Sequence, residues 1–185
     1  MAQDFLDNHF LVAMPSLRDP NFQQSVVYVC EHNAGSALGI VINRPSSVVL
    51  GDILKQLSIS ADDPSLTQRP VFQGGPVQTD RGFVIHEPIG AWDSTLKLGA
   101  LGVTTSRDVL AALARGQGPG HSFVALGYAG WGAGQLETEL AANSWLSTPA
   151  DKRIIFETPV AERWQAAARL IGVDIALLSD DAGHA

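Results

Sequence analysis

The sequence predicts an α+β domain. Three observations point there. Short runs rich in β-branched and aromatic residues recur along the chain. Two of them, residues 24–31 and 38–43, are separated only by a turn-forming segment. The stretches with helical periodicity do not alternate regularly with the strands, as a doubly wound sheet would require. The 185 residues fit one domain, taken as residues 1–185, with no internal repeat and no linker-like stretch.

Residues 9–14 are apolar up to Pro15 and read as a first strand. Residues 24–31, with Val26, Val27, Tyr28 and Val29, read as a second. Asn33-Ala34-Gly35-Ser36 has turn chemistry, so residues 38–43 return as its antiparallel partner. Arg44-Pro45 ends that strand, because proline has no amide hydrogen and restricts the residue before it. Leu50, Ile53, Leu54 and Leu57 recur at helical spacing and predict a short helix. Residues 58–69 are polar and read as a loop. Val71-Phe72 and residues 83–86 read as short strands around Gly74-Gly75-Pro76. Residues 87–93 read as a surface loop, and 95–98 and 103–104 as further strands. Thr105-Ser106 can cap a helix over 107–115, with Asp108 where a negative charge suits the helix dipole. Residues 122–126 read as a strand, 127–134 as a glycine-rich loop, 135–142 as a helix and 154–156 as a strand. Thr158 is placed as the cap of a last helix with Pro159 at its first position. Val160, Trp164 and Ile171 line its buried face, and Gly172 fits its left-handed stop. Residues 179–185 read as a frayed end.

Composition narrows the function classes. The net charge is −7, and no basic run is longer than Lys152-Arg153. Direct nucleic-acid binding is therefore not expected, since it depends on lysines and arginines displacing counterions. The single cysteine, Cys30, forms no internal disulfide. Residues 1–8 carry Asp4 and Asp7 without a basic residue, unlike a signal peptide. The apolar runs fall far short of the ~20 residues of a membrane span. A cytoplasmic protein without a membrane partner is the expectation.

Three constellations carry polar chemistry. In Cys30-Glu31-His32 at a strand end, regular alternation would put Cys30 and His32 on one face. A thiol beside an imidazole can be an activated nucleophile, or it can be a packed cysteine next to a turn histidine. Too few ligands accompany this pair for a structural zinc site, so no metal and no cofactor are expected. His86-Glu87 ends the strand after the glycine turn, and His86 could converge on Cys30 if the two strands were neighbours. The run from Gly127 to Gly134 precedes a helix, the order used by phosphate cradles. It lacks the dinucleotide and P-loop spacings, and Gln135, Glu137 and Glu139 follow, whose carboxylates repel phosphate. The glycines instead suggest a backbone passing close to something bulky, Trp131 or Trp145, with Gly130 at the near point.

The motifs HFLVAMPSLRDPNF at 9–22, SVVYVCEHN at 25–33, LGIVINRP at 38–45, GGPVQTDRGFVIH at 74–86, GYAGWGAGQLETELAANSW at 127–145 and RWQAAARLIGVD at 163–174 resemble the bacterial AlgH/YqgE family from end to end. That resemblance implies an α+β fold with a bent, bifurcated, mostly antiparallel sheet forming a pseudo-barrel with packed helices. Some family members are described as transcriptional regulators, but the resemblance brings no reaction. It marks Cys30, Glu31, His32, Gly74, Gly75, His86, Gly127, Gly130, Trp131, Gln135 and Glu137 as candidate ligand-binding residues. The reading is a non-catalytic binding or regulatory protein acting through a protein or small-molecule partner. Its alternatives are an enzyme using Cys30 with His32 or His86, and a transcriptional regulator.

Overall fold

The structure is a computed structural model and describes residues 4–175, 177 and 178. The strand order begins with the hairpin expected from sequence: β1 (His9–Ala13), β2 (Val26–His32) and β3 (Ser36–Val41) run antiparallel side by side. Then come β4 (Pro45–Val49), β5 (Pro70–Gln73), β6 (Val77–Glu87), β7 (Thr95–Leu98), β8 (Leu101–Thr104), β9 (His121–Gly132) and β10 (Trp145–Pro149). The main path of the sheet is β10-β1-β2-β3-β9-β6-β8-β7. Helices α1 (Leu50–Gln56), α2 (Pro64–Thr67), α3 (Asp108–Ala114), α4 (Gln135–Ala141), α5 (Lys152–Phe156) and α6 (Arg163–Arg169) pack around it, and a 3-10 turn, Val160–Glu162, leads into α6.

The sheet curls into a half-barrel and forks at β9. Along one edge of β9, β3 pairs antiparallel with residues 129–132, and β5 then pairs parallel with Ala125 and Leu126. β5 carries β4 away as a branch. The other edge of β9 is taken by β6.

Side-chain alternation sorts the core into three clusters. Phe10, Val12, Tyr28, Ile40, Phe72, Phe83, Ile85 and Phe123 fill the interior together with Ile154 and Ile155 of α5 and Ala167 and Ala168 of α6. Their strand neighbours point the other way. Leu11, Val27, Val29, Trp131 and Trp145 pack with Leu136 of α4. Val71, Val84 and Val124 pack under α1 and α3. Burying a Val, Leu, Ile or Phe side chain contributes about 1.5–3 kcal/mol.

Several local expectations are overturned. Residues 154–156 are helical: the Asp151 carboxylate accepts the Arg153 amide to start α5, and Ile154 and Ile155 are both buried. An apolar run this short has no period of its own. The glycine run is strand as far as Gly132, with Ala129 and Trp131 buried between exposed Gly130 and Gly132. Its alternation is hidden in the sequence because glycines occupy the outward positions. The polar stretch 58–69 contains α2, capped by Asp63. The sequence reading does not anticipate β4 and β10; each has a proline at one end and an otherwise mixed pattern. Thr158 does not cap α6; its hydroxyl donates to the Arg153 carbonyl, while its own carbonyl accepts from Arg163 Nε. Gly172 does adopt the left-handed conformation expected of the stop. The frayed end assigned to residues 179–185 lies outside the described residues.

Candidate functional site

The fork is built by glycines. A Cβ on Gly74 would lie 2.3 Å from the Gly127 carbonyl oxygen, and one on Gly75 would lie 2.1 Å from the Tyr128 carbonyl carbon. Gly127 has φ +81° and would place a Cβ 2.4 Å from the Gly75 oxygen. The Gly74-Gly75 segment and β9 therefore cross backbone against backbone. The amide of Gly74 donates to Leu126, and its carbonyl accepts from Val41, so the crossing is also hydrogen-bonded to both sides of the fork.

A recess of about 540 Å³ opens beside this crossing. Val41, Phe72 and Leu126 form its apolar part. Asn21, Ser47, Gln73 and Thr79 stand around it, and among the described residues their side chains form no hydrogen bond with the protein. Arg44, the one charged residue of the lining, is committed to holding the wall. Its guanidinium donates to the carbonyls of Pro20, Asn21 and Gln23. Arg44 thereby fixes the loop after β1 against the end of β3. The recess accordingly offers uncommitted amide and hydroxyl groups over an apolar floor, a composition typical of binding clefts.

Of the residues singled out from sequence, Gly75 lines this recess, and Gly74 and Gly127 make the crossing behind it. Asn21, Arg44, Ser47, Gln73 and Thr79 escape the sequence reading. The only signal was that Asn21, Arg44 and Thr79 fall inside the stretches that carry the family resemblance; Ser47 and Gln73 have none.

Cys30, His32 and His86 do not converge. A β-bulge in β2 shifts the register between Val29 and Glu31, so alternation reverses there. Cys30 stays with Val26 and Tyr28 in the interior cluster. His32 emerges on the opposite face, opposite Ala37, and meets Glu137 of α4. His86 is buried elsewhere, bonded to Thr104 of the neighbouring β8.

Cys30 is 2% exposed, and burial pushes its thiol well above the ordinary range, with Glu31 adding to the effect. Glu31 is exposed, beside Cys30 in a recess of about 300 Å³ that also includes Arg81. Alkylation of Cys30 by iodoacetamide at pH 8 is expected to follow the rate of unfolding; labelling of the native protein at the rate of a free thiol would contradict this. His32 Nδ1 accepts the Leu6 amide at 2.9 Å, so the proton of the neutral ring sits on Nε2, which donates to Glu137 at 2.5 Å. That bond holds the Glu137 carboxyl below its usual range. Both ring nitrogens are occupied in clipping the chain before β1 to α4.

The rest of α4 closes a second web. Gln135 accepts the Gly132 amide and donates to Glu139, whose other oxygen accepts both the Trp131 and Trp145 indoles. Trp131 is buried in that web. The expectation for Gly130 is reversed: the nearest neighbour of a Cβ there would be the Tyr128 ring at an ordinary 3.5 Å, whereas Gly118 has no room beside Leu113. Among the described residues, no group of three or more His, Cys, Asp or Glu side chains is placed to hold a metal ion.

His86 gives a pH prediction. It is 0% exposed; Nδ1 donates to the Pro88 carbonyl, and Nε2 accepts from Thr104, so the neutral ring is fully satisfied. Burial lowers its pKa from 6.5. The unfolded chain therefore takes up the proton first. Stability is complete above the unfolded value and falls as pH drops below about 6.5 toward the folded one. Urea midpoints should fall between pH 7 and pH 5, and His86→Gln should flatten that fall. An unchanged slope in the variant would contradict the assignment.

A curled, forked sheet packed by helices, with a polar recess at the fork, makes this an α+β half-barrel protein. The chain belongs to the AlgH-like family, whose model (DUF179) matches residues 10–176. It is 58% identical over 185 residues to a UPF0301 protein of Thioalkalivibrio sulfidiphilus, covering 100% of this chain and 99% of that one. It is 52% identical over 182 residues to a UPF0301 protein of Nitrosococcus oceani, covering 98% and 97%. The solution structure of the AlgH protein from Pseudomonas aeruginosa is similar over 100% of both chains, with 50% identity and a TM-score of 0.81. A crystal structure of a Corynebacterium diphtheriae protein, 19% identical, shares the fold with a TM-score of 0.75 over 97% of this chain and 94% of that one. Among the described residues, no helix is long and apolar enough to cross a membrane.

Proposed function

We propose that this protein acts by binding rather than by chemical conversion. Its partner, a protein segment or a small molecule, seats in the recess at the fork, and the setting is the cytoplasm. The observation that carries this reading is the set of four side chains, Asn21, Ser47, Gln73 and Thr79, which surround one recess without hydrogen-bond partners among the described residues. The fork behind them is braced by backbone crossing and by Arg44, so the recess is preformed and its occupant meets little ordering cost. The placement of Cys30, His32 and His86 in separate buried surroundings, with both histidines bonded to other groups, supports a non-catalytic role, because no nucleophile–base hydrogen bond joins them among the described residues. The acidic net charge speaks against a regulator that holds DNA directly.

Immobilised full-length protein and a Thr79→Trp variant, which blocks the exposed mouth, would be compared for what they retain from a bacterial extract. At least one protein or metabolite should be retained by the native chain and reduced about tenfold or more by the variant, the loss of a central contact. Identical retention by both would overturn the proposal.

A further inference from the structure

A second recess lies between α1 and α3, over β6 and β9. Its volume is about 520 Å³, within the range of small-molecule sites. The two recesses share only Leu126 in their linings, so a ligand bound here would occupy a different place from an occupant of the fork. The floor is Val84 of β6 with Val124 and Leu126 of β9, and the walls are Ile53 and Leu57 from the α1 end and Leu110 of α3. Two features keep it open. Gly82 lines it without a side chain, and a Cβ there would meet nothing closer than Leu126 at 3.9 Å. Arg107 braces the two walls, donating from Nη2 to the Leu57 carbonyl at 2.9 Å.

The mouth carries one charge of each sign. Asp80 and Arg107 both line it and are exposed, yet among the described residues neither forms an ion pair, with the other or with anything else. Asp80 accepts no hydrogen bond among the described residues. Arg107 has given one of its five N–H donors to Leu57 and keeps the others. The hydroxyl of Thr105, which also lines this recess, is uncommitted among the described residues. One end of the β6–β8 register lies here: Val84 pairs with Thr104, and Asp80 before Val84 and Thr105 and Arg107 after Thr104 all line this recess. An apolar chamber with an unpaired carboxylate and an unpaired guanidinium at its entrance is complementary to a compact apolar molecule whose head bears both charges.

From this we infer that the recess between α1 and α3 binds a free α-amino acid with an apolar side chain. The side chain enters the chamber, the ammonium faces Asp80, and the carboxylate faces Arg107 and Thr105.

The test is methyl and amide NMR of the full chain at pH 7 with three probes: L-phenylalanine, phenethylamine and 3-phenylpropionate. Phenylalanine should give saturable shifts at the Val84, Leu110, Val124 and Leu126 methyls. Each singly charged probe should bind about three- to fivefold more weakly, the size of one exposed ion pair. Asp80→Asn should weaken phenylalanine by a similar factor and leave 3-phenylpropionate unchanged. Gly82→Leu, which fills the chamber, should remove the shifts. The inference is overturned if those methyls do not move, if the three probes bind equally, or if Asp80→Asn has no effect on phenylalanine. Shifts confined to Gln73 and Thr79 would overturn it while leaving the fork recess standing.

Discussion

Gly127→Ala is expected to cost more than about 3 kcal/mol, a large share of the roughly 5–15 kcal/mol that holds an ordinary domain folded. Two penalties add. The position has φ +81°, which alanine adopts only with strain of about 1–2 kcal/mol. The added methyl would also lie 2.4 Å from the Gly75 carbonyl oxygen, and Gly75 cannot retreat because Tyr128 presses on it. Relief requires the two strands to part at the fork, which breaks the hydrogen bonds of Gly74 to Leu126 and Val41. Gly130→Ala, three residues along the same strand, meets ordinary contacts and should change stability by less than about 1 kcal/mol. Urea denaturation of the two variants checks the contrast; equal losses would show that the fork does not depend on its glycines.

Trp145→Ala should cost about 3–5 kcal/mol. The ring is 2% exposed and lies edge-on to Trp131 at 6.1 Å and to Phe22 at 5.7 Å. Its indole donates to Glu139 at 2.9 Å, on the same oxygen that takes Trp131. Trp145→Phe keeps most of the packing and loses mainly the donor, so about 1–2 kcal/mol is expected. A thermal or urea midpoint shift for the alanine variant no larger than that of the phenylalanine variant would show that the site collapses around the missing ring.

The β2–β3 hairpin was legible because its signals are local: β-branched runs, a turn segment, and an Arg-Pro stop. α1, α3 and the Gly172 stop were legible for the same reason. What failed depended on distant partners. The bulge at Cys30 reverses the side-chain alternation, and nothing in Cys30-Glu31-His32 announces it; the partner of His32 lies 105 residues away on α4. The glycine run concealed a strand, because Ala129 and Trp131 alone cannot display a period of two. The glycines at 74, 75 and 127 stand out in the sequence, but only the crossing explains them. The recess is invisible there for a related reason. Asn21, Ser47, Gln73 and Thr79 come from four separate segments of ordinary polar residues, and only the fork assembles them.

On our proposal, this protein meets its partner at the polar recess of the fork and not at the cysteine and histidines. Retention from a bacterial extract by the native chain, by Thr79→Trp and by Cys30→Ser separates the two. Cys30→Ser, once shown to be folded, is expected to retain what the native chain retains, and Thr79→Trp to lose it. Loss with Cys30→Ser and full retention with Thr79→Trp would contradict the proposal.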